Sequence, residues 1–207
     1  MMKKHTSFKE FFQMLSESET DTDIIKRRIL DHIKRVKYFY KKMIEGGIIP
    51  KKDENLSEVN RHDSDKLKPR NLERQAKRFT ADGTMTPGDE DDIYQVIREH
   101  VKSNPHHCEY WGSASQDHMS NGIHCEKMPD KYLYEMMADW ASTAEERGTK
   151  IKDWYDLCVI QRKRWFFSDR QKEIMLKCMD FLQGYVEPGM KRDYGRKYID
   201  PAVAKKK

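Results

Sequence analysis

The sequence predicts an all-α fold, and three observations lead there. Apolar residues recur at steps of three and four over several long stretches, the period of a helix with one buried face. Few segments alternate apolar and polar residues with the period of two that a half-exposed strand needs. The chain has 207 residues, 37% of them hydrophobic and 36% charged. That is polar, yet 11% aromatic residues are too many for a disordered chain. The length suits one domain with room for a core and a concave site.

Residues 7–15 read as a short amphipathic helix with Phe8, Phe11, Phe12 and Leu15 on one face, expected to lie over the domain as a lid. The Ser/Thr/Asp run that follows can cap a helix over residues 21–44, stopped by Gly46-Gly47. Its seam of Ile25, Ile29, His32, Val36, Phe39 or Tyr40 and Met43 puts a histidine among core residues. A loop with Pro50 leads to Ser57, a predicted N-cap, and to a helix carrying Val59, His62, Asp63, Lys66 and Leu67 that Pro69 ends. On such a helix His62 and Lys66 stand one turn apart and reach the same pocket. Leu72, Ala76 and Phe79 suggest a further short helix. From Asp89 an acidic first turn opens the next, with Ile93, Val96, Ile97, His100 and Val101 on its inner face and Asn104-Pro105 at its end.

His106-His107-Cys108-Glu109-Tyr110-Trp111 follows directly. Residues 112–128, with His118 and His124, show no period and are expected to form a mobile loop at the mouth of a site. Beyond Pro129 a helix runs to about residue 146 and ends at Gly148. On it Tyr132, Met136, Asp139 and Thr143 share a stripe, with Glu135 one turn before Asp139 and within reach of Lys131. Carboxylates flanked by Met136, Met137 and Trp140 are costly to bury unless paired or bound to a cation. Two bundle helices are predicted over residues 151–165 and 168–182, the second opened by a capping box of Ser168 and Gln171. The chain therefore divides into a short helix and linker (1–19), a helical domain (20–184) and an extended basic tail (185–207).

Composition narrows the function. No apolar run reaches the length of a membrane span, and the start, Met1-Met2-Lys3-Lys4-His5, lacks a hydrophobic signal core. A cytoplasmic protein with no membrane partner is expected. The four cysteines form no CxxC, which points to reduced, mostly buried thiols. A net charge of +5 from 40 basic and 35 acidic residues is spread thinly, which argues against a nucleic-acid partner. The pattern specifies no oligomeric state.

What stands out is a set of potential metal ligands: His32, His62, Asp63, His100, His106, His107 and Asp139. Helical bundles build metal sites by projecting such groups inward from facing helices. Imidazoles and carboxylates hold a divalent cation without exhausting its coordination sphere. Taken singly, each has a plainer reading. His32 or His100 on an apolar face can be a hydrogen-bonded core histidine, His106-His107 can cap the preceding helix, and Lys66 can be solvated. Trp111 and Trp140 read as packing residues, and the basic and aromatic run from Arg162 to Phe167 as an amphipathic helix end.

The order His, His-Asp, further histidines, Asp resembles the HD-domain superfamily of metal-dependent phosphohydrolases. The chain also resembles an uncharacterised family from bacteria and their viruses, whose pattern is a helix histidine and then HDxSK-like, NxHHxExW-like and EMxxDW-like motifs. These appear here as His32, His62-Asp63-Ser64-Asp65-Lys66, Asn104-Pro105-His106-His107-Cys108-Glu109-Tyr110-Trp111 and Glu135-Met136-Met137-Ala138-Asp139-Trp140. The likeness runs from about His32 to Phe181, and Asp65 departs from the Ser expected before Lys66.

The HD resemblance implies a compact HD-like helical bundle holding one or two divalent ions (Mn, Fe, Co, Ni, Zn or Mg). His32, His62, Asp63 and Asp139 would hold the first. Asp63 would bridge to a second completed by His100 with His106, His107 or both. Such a metal lowers the pKa of bound water from about 15.7 to near 7, for attack on phosphorus. Lys66 and Arg61 would steady the phosphoryl oxygens of a small phosphorylated substrate, a nucleotide being the first expectation. Glu109 would orient a histidine or donate a proton to the leaving oxygen. A related resemblance admits a binuclear iron oxygenase, and the residues alone admit a non-catalytic, metal-stabilised binding module.

Overall fold

The computed structural model describes residues 20–77 and 87–186. The helix expected at residues 7–15, Phe79 and the tail beyond residue 186 lie outside them. In chain order the helices are α1 (Asp21–Glu45), α2 (Leu56–Val59), α3 (Pro69–Ala76), α4 (Pro87–Ser103), α5 (Cys108–Trp111), α6 (Asp130–Arg147), α7 (Ile151–Tyr155) and α8 (Asp169–Gln183). Among the described residues the only strands are β1 (Ile123–His124) and β2 (Trp165–Phe166), so the fold is all-α.

Helix α1 begins at a capping box. The Thr20 hydroxyl accepts from the Asp23 N–H, and the Asp23 carboxylate accepts from the Thr20 N–H, which satisfies two donors the helix itself leaves open. The helix stops at Gly46, and Gly47 turns the chain with a φ of +68°, a region open to glycine. The buried stripe of α1 feeds two separate cores. Ile24, Ile25, Ile29 and Ile33 pack with Leu72 of α3. Val36, Phe39, Tyr40 and Met43 join a larger core built mainly from α6 and α8. At about 1.5–3 kcal/mol for each fully buried aliphatic or aromatic side chain, this burial outweighs the few tenths of a kcal/mol that isoleucines cost a helix. His32 sits on α1 where the two cores meet.

Among the described residues, helix α1 lies along α6 in the most extensive helix pairing; α6 also packs on α8, and α3 links α1 to α4. Two ion pairs, Arg28 with Glu146 and Arg35 with Glu145, fasten α1 to the C-terminal end of α6. Helix α6 ends at Gly148 (φ +67°), and α8 starts at a capping box of Ser168 and Gln171, both as the sequence predicts. All four cysteines are free and buried. Among the described residues no helix is long and apolar enough to cross a membrane.

Three segments differ from the sequence prediction. The helix expected to run from Ser57 to Pro69 is broken: α2 is capped at Asn55 and ends at Val59, a turn follows, and Ser64–Leu67 is a separate 3-10 turn. The break falls at Asp63, whose φ of +55° is left-handed, a conformation aspartate tolerates better than most residues. Consecutive side chains on an α-helix diverge by about 100°. The kink instead lets the adjacent His62 and Asp63 both turn inward. Pro69 then starts α3 at its first position, where its missing N–H costs nothing.

The helix expected over residues 151–165 is α7 followed by a π-helical turn, Asp156–Gln161. Trp165 and Phe166 instead form β2, which pairs in parallel with Ile123 and His124 of β1. That pairing anchors the segment expected to be a mobile loop at residues 112–128. Arg164 donates to the His118 carbonyl and Gln116 Nε2 donates to the Gly122 carbonyl at 3.2 Å, so the segment is tied down at several points.

Candidate metal centre

Five pieces of the chain meet beside the seam between the two cores. His32 comes from the middle of α1, His62 and Asp63 from the kink after α2, His100 from the last turn of α4, His106 and His107 from the turn before α5, and Asp139 from α6. These are all seven ligands that the sequence singles out. They form three overlapping groups able to hold a cation: Asp63 with His100, His106 and His107; His32 with His62 and Asp63; and His62 with His106 and Asp139. Within each group one ligand atom per residue lies within 4.8 Å of the others.

The spacing suits coordination. Around an ion bound at about 2.1 Å, neighbouring ligands stand roughly 3.0–3.5 Å apart in octahedral or tetrahedral geometry. His100 Nε2 lies 3.2 Å and His106 Nε2 3.6 Å from Asp63 Oδ1. His107 Nε2 lies 2.8 Å from His100 Nε2. On the other side, His32 Nε2 is 3.6 Å from Asp63 Oδ2 and 3.0 Å from Asp139 Oδ1; His62 Nε2, between the two sides, is 3.5 Å from Asp63 Oδ1. The two oxygens of Asp63 therefore face different histidines.

The outer faces of the imidazoles are held by partners. His62 Nδ1 donates to Glu135 Oε1 at 2.9 Å, and His106 Nδ1 lies 3.3 Å from the same oxygen. His100 Nδ1 contacts Asp65 Oδ2 at 2.9 Å, and His32 Nδ1 contacts the Ser142 hydroxyl at 3.0 Å. A carboxylate only accepts, so in a neutral imidazole a proton on Nδ1 leaves the lone pair on Nε2. This is the arrangement by which an outer partner orients a metal-binding histidine. At the centre, three buried atoms are left without a hydrogen-bond partner: His62 Nε2, His106 Nε2 and Asp63 Oδ1. Buried polar atoms are rarely left so, and donors of this kind converging on one point fit a divalent cation.

The electrostatics agree with that chemistry. Burial pushes the pKa of His62 down against the pull of Asp63. Burial, with the charges of His106 and His100, pushes His107 well below the usual histidine range. Both are neutral lone-pair donors near neutral pH. For His106 burial acts downward, but the Glu135 hydrogen bond and the surrounding carboxylates outweigh it and raise the pKa. It is a more basic imidazole than His62 or His107. Burial opposes ionisation of Asp63, yet His62, Lys66 and His100 hold its pKa well below the carboxylate range. Glu135, despite its burial, is brought down to about 2 by hydrogen bonds and charge from His106 and His62. Asp139 is likewise depressed, burial being overcome by His32 and His62.

The expected substrate residues fare unequally. Lys66 reaches the site from the 3-10 turn rather than from a helix shared with His62, and its Nζ lies 2.6 Å from Asp63 Oδ2. Burial disfavours its charge, but Asp63, Asp139 and Asp65 outweigh that and raise its pKa, so it stays an ammonium. Arg61 does not join the site: its side chain is 69% exposed and pairs with Glu58 on α2. Glu109 does not orient a histidine. It is buried, and its Oε1 accepts from Arg164 Nη2 at 2.8 Å and from Trp165 Nε1 at 3.3 Å. Glu135, whose nearest sequence partner is Lys131, is the residue that does. Asp65, the departure from the HDxSK-like pattern, anchors His100, and Ser142 anchors His32. Glu135 carried one sequence signal, its place one turn before Asp139; Asp65 stood out only as a departure from the motif, and Ser142 carried none.

A family model described as a family of unknown function (DUF5662) matches residues 22–180, a span that includes all seven candidate ligands. No curated protein and no solved structure matches the chain.

Proposed function

The chain belongs to the DUF5662 family, and from the geometry of its site we propose that it is a divalent-metal-dependent phosphohydrolase of the HD type, acting on a small phosphorylated molecule such as a nucleotide. The observation that carries this reading is Asp63. Its carboxylate stands between two sets of imidazole nitrogens, one oxygen is left without a hydrogen bond, and an ammonium lies on the other. His32, His62, Asp63 and Asp139 would hold one ion, and Asp63, His100, His106 and His107 a second. A metal bound there supplies a hydroxide nucleophile near neutral pH and polarises the phosphoryl group.

The remaining work falls to the chain. Asp63 presents Oδ1 toward His62, His100 and His106 and Oδ2 toward His32, which suits it to bridge. Glu135, Asp65 and Ser142 keep the Nε2 atoms aimed inward. Lys66 is the fixed positive charge at the edge of the site: its side chain is 27% exposed, whereas that of Asp63 beside it is 2% exposed. Its Nζ would donate a hydrogen bond to a phosphoryl oxygen. Asp139 and His32 are also partly exposed, so this is the side on which a substrate meets the ligands.

Metal-loaded protein should release inorganic phosphate from at least one member of a panel of nucleotides and phosphate esters, and Asp63→Ala should lose both metal and turnover. Full turnover by metal-stripped Asp63→Ala protein would contradict the reading. One observation favours a second reaction on the same site: the second group contains three histidines, a nitrogen-rich set that also suits iron. A binuclear iron oxygenase would stop working under argon, whereas a hydrolase would not.

A further inference from the structure

We propose that Glu135 couples the two ions of the centre, so that binding of one prepares the site of the other. This rests on the two-ion reading above. The structural basis is a single atom: Glu135 Oε1 contacts His62 Nδ1 at 2.9 Å and His106 Nδ1 at 3.3 Å. His62 groups with His32 and Asp63, and His106 groups with Asp63, His100 and His107; a third grouping, His62 with His106 and Asp139, places the two rings at the junction of the two sites. The two rings lie side by side, with centroids 4.4 Å apart and planes tilted by 37°. The other outer anchors each serve one group, Ser142 through His32 and Asp65 through His100.

A carboxylate oxygen has two lone pairs, enough for two N–H donors arriving from different directions. Glu135 is 3% exposed, so water offers its oxygens little competition. Once an ion draws on His62 Nε2, its ring is fixed, its Nδ1–H fixes Glu135, and Glu135 in turn fixes His106. The second ion then meets a ligand already oriented, with less conformational freedom left to remove. Coupling of this kind is thermodynamic and reciprocal, since either ion favours the other by the same factor. Asp63 is a second link between the groups, but as a direct ligand its removal abolishes binding. Glu135 touches no ion in this scheme and is a positioning residue whose loss separates coupling from ligation.

The test is a titration of Mn(II), and separately Zn(II), into the metal-free full-length protein, followed by calorimetry and by competition with a coloured chelator. Circular dichroism on each variant establishes that the helices are intact. Wild type should bind two ions per chain, the second at least as tightly as the first. Glu135→Ala should weaken both steps by about 10–100-fold and the second more than the first. Glu135→Gln keeps an acceptor oxygen in place and should recover part of the loss. Ser142→Ala and Asp65→Asn should each shift one step and leave the other. The coupling is overturned if Glu135→Ala keeps the wild-type ratio of the two stepwise affinities, or shifts one step only. It is also overturned if wild type binds one ion, an outcome that leaves a mononuclear hydrolase standing. Two coupled ions with no phosphate ester cleaved would remove the phosphohydrolase reading and leave the coupling intact.

Discussion

Asp63 and Glu109 are almost equally buried carboxylates, 1% and 2% exposed. Each is paired with a cation, yet their remaining partners differ. Glu109 Oε1 takes a guanidinium N–H from Arg164 and an indole N–H from Trp165, so its charge is met by a permanent cation in a hydrogen-bonded pair. Asp63 also has a cation, the Lys66 ammonium on Oδ2, but its Oδ1 faces only imidazole nitrogens, at 3.2–3.6 Å, and is left without a hydrogen bond. A guanidinium does not give up its proton, whereas an imidazole can exchange one for a metal ion. Burial alone therefore does not separate a carboxylate that holds the fold from one that holds a ligand. The chemistry of its partners does.

Four substitutions would break or sharpen that contrast. The largest effect is expected from Asp63→Ala, which should remove both ions and all metal-dependent turnover. Chelation lowers the melting temperature of a protein that binds metal in its folded state, and this variant should no longer respond to it. Next comes Arg164→Met, which leaves the Glu109 charge buried without its cation, held only by the Trp165 indole N–H. It should cost roughly 3–5 kcal/mol in urea unfolding while the metal stoichiometry of the folded protein stays at the wild-type value. Lost metal in this variant would mean that Glu109 belongs to the site after all.

Lys66→Met should retain metal and lose about 100-fold in kcat/KM, or about 2.7 kcal/mol of transition-state stabilisation, measured by phosphate release. An unchanged rate would reduce Lys66 to a counter-charge for Asp63. The smallest effect belongs to Arg61→Ala. With its side chain in solvent against Glu58, stability should move by less than about 0.5 kcal/mol and KM should not change.

The candidate ligands were legible in the sequence because they are unusual where they stand. A histidine on an apolar seam, as at His32 and His100, announces itself through the period of the helix. So do carboxylates on a stripe among Met136, Met137 and Trp140. The helical class was legible for the same reason, since periodicity is local. What the sequence hid depends on pairing between distant segments. Glu135 meets His62 across 73 positions, and Arg164 meets Glu109 across 55, contacts that no local spacing encodes. The break at Asp63 was hidden differently. Aspartate is common both in helices and in left-handed turns, and the choice here follows from turning two consecutive side chains inward, a tertiary requirement. The short parallel pairing of β1 with β2 is too brief to carry a period at all.

The proposal turns on two ion sites that share Asp63, one drawing on His32, His62 and Asp139 and the other on His100, His106 and His107. Anomalous diffraction from crystals of the full-length protein grown with Mn(II) tests it most directly. The account predicts two anomalous peaks per chain, each within coordination distance of an Asp63 oxygen, with Nε2 rather than Nδ1 of His62 and His106 facing them. No peak beside Asp63, or peaks bound elsewhere on the chain, would contradict it.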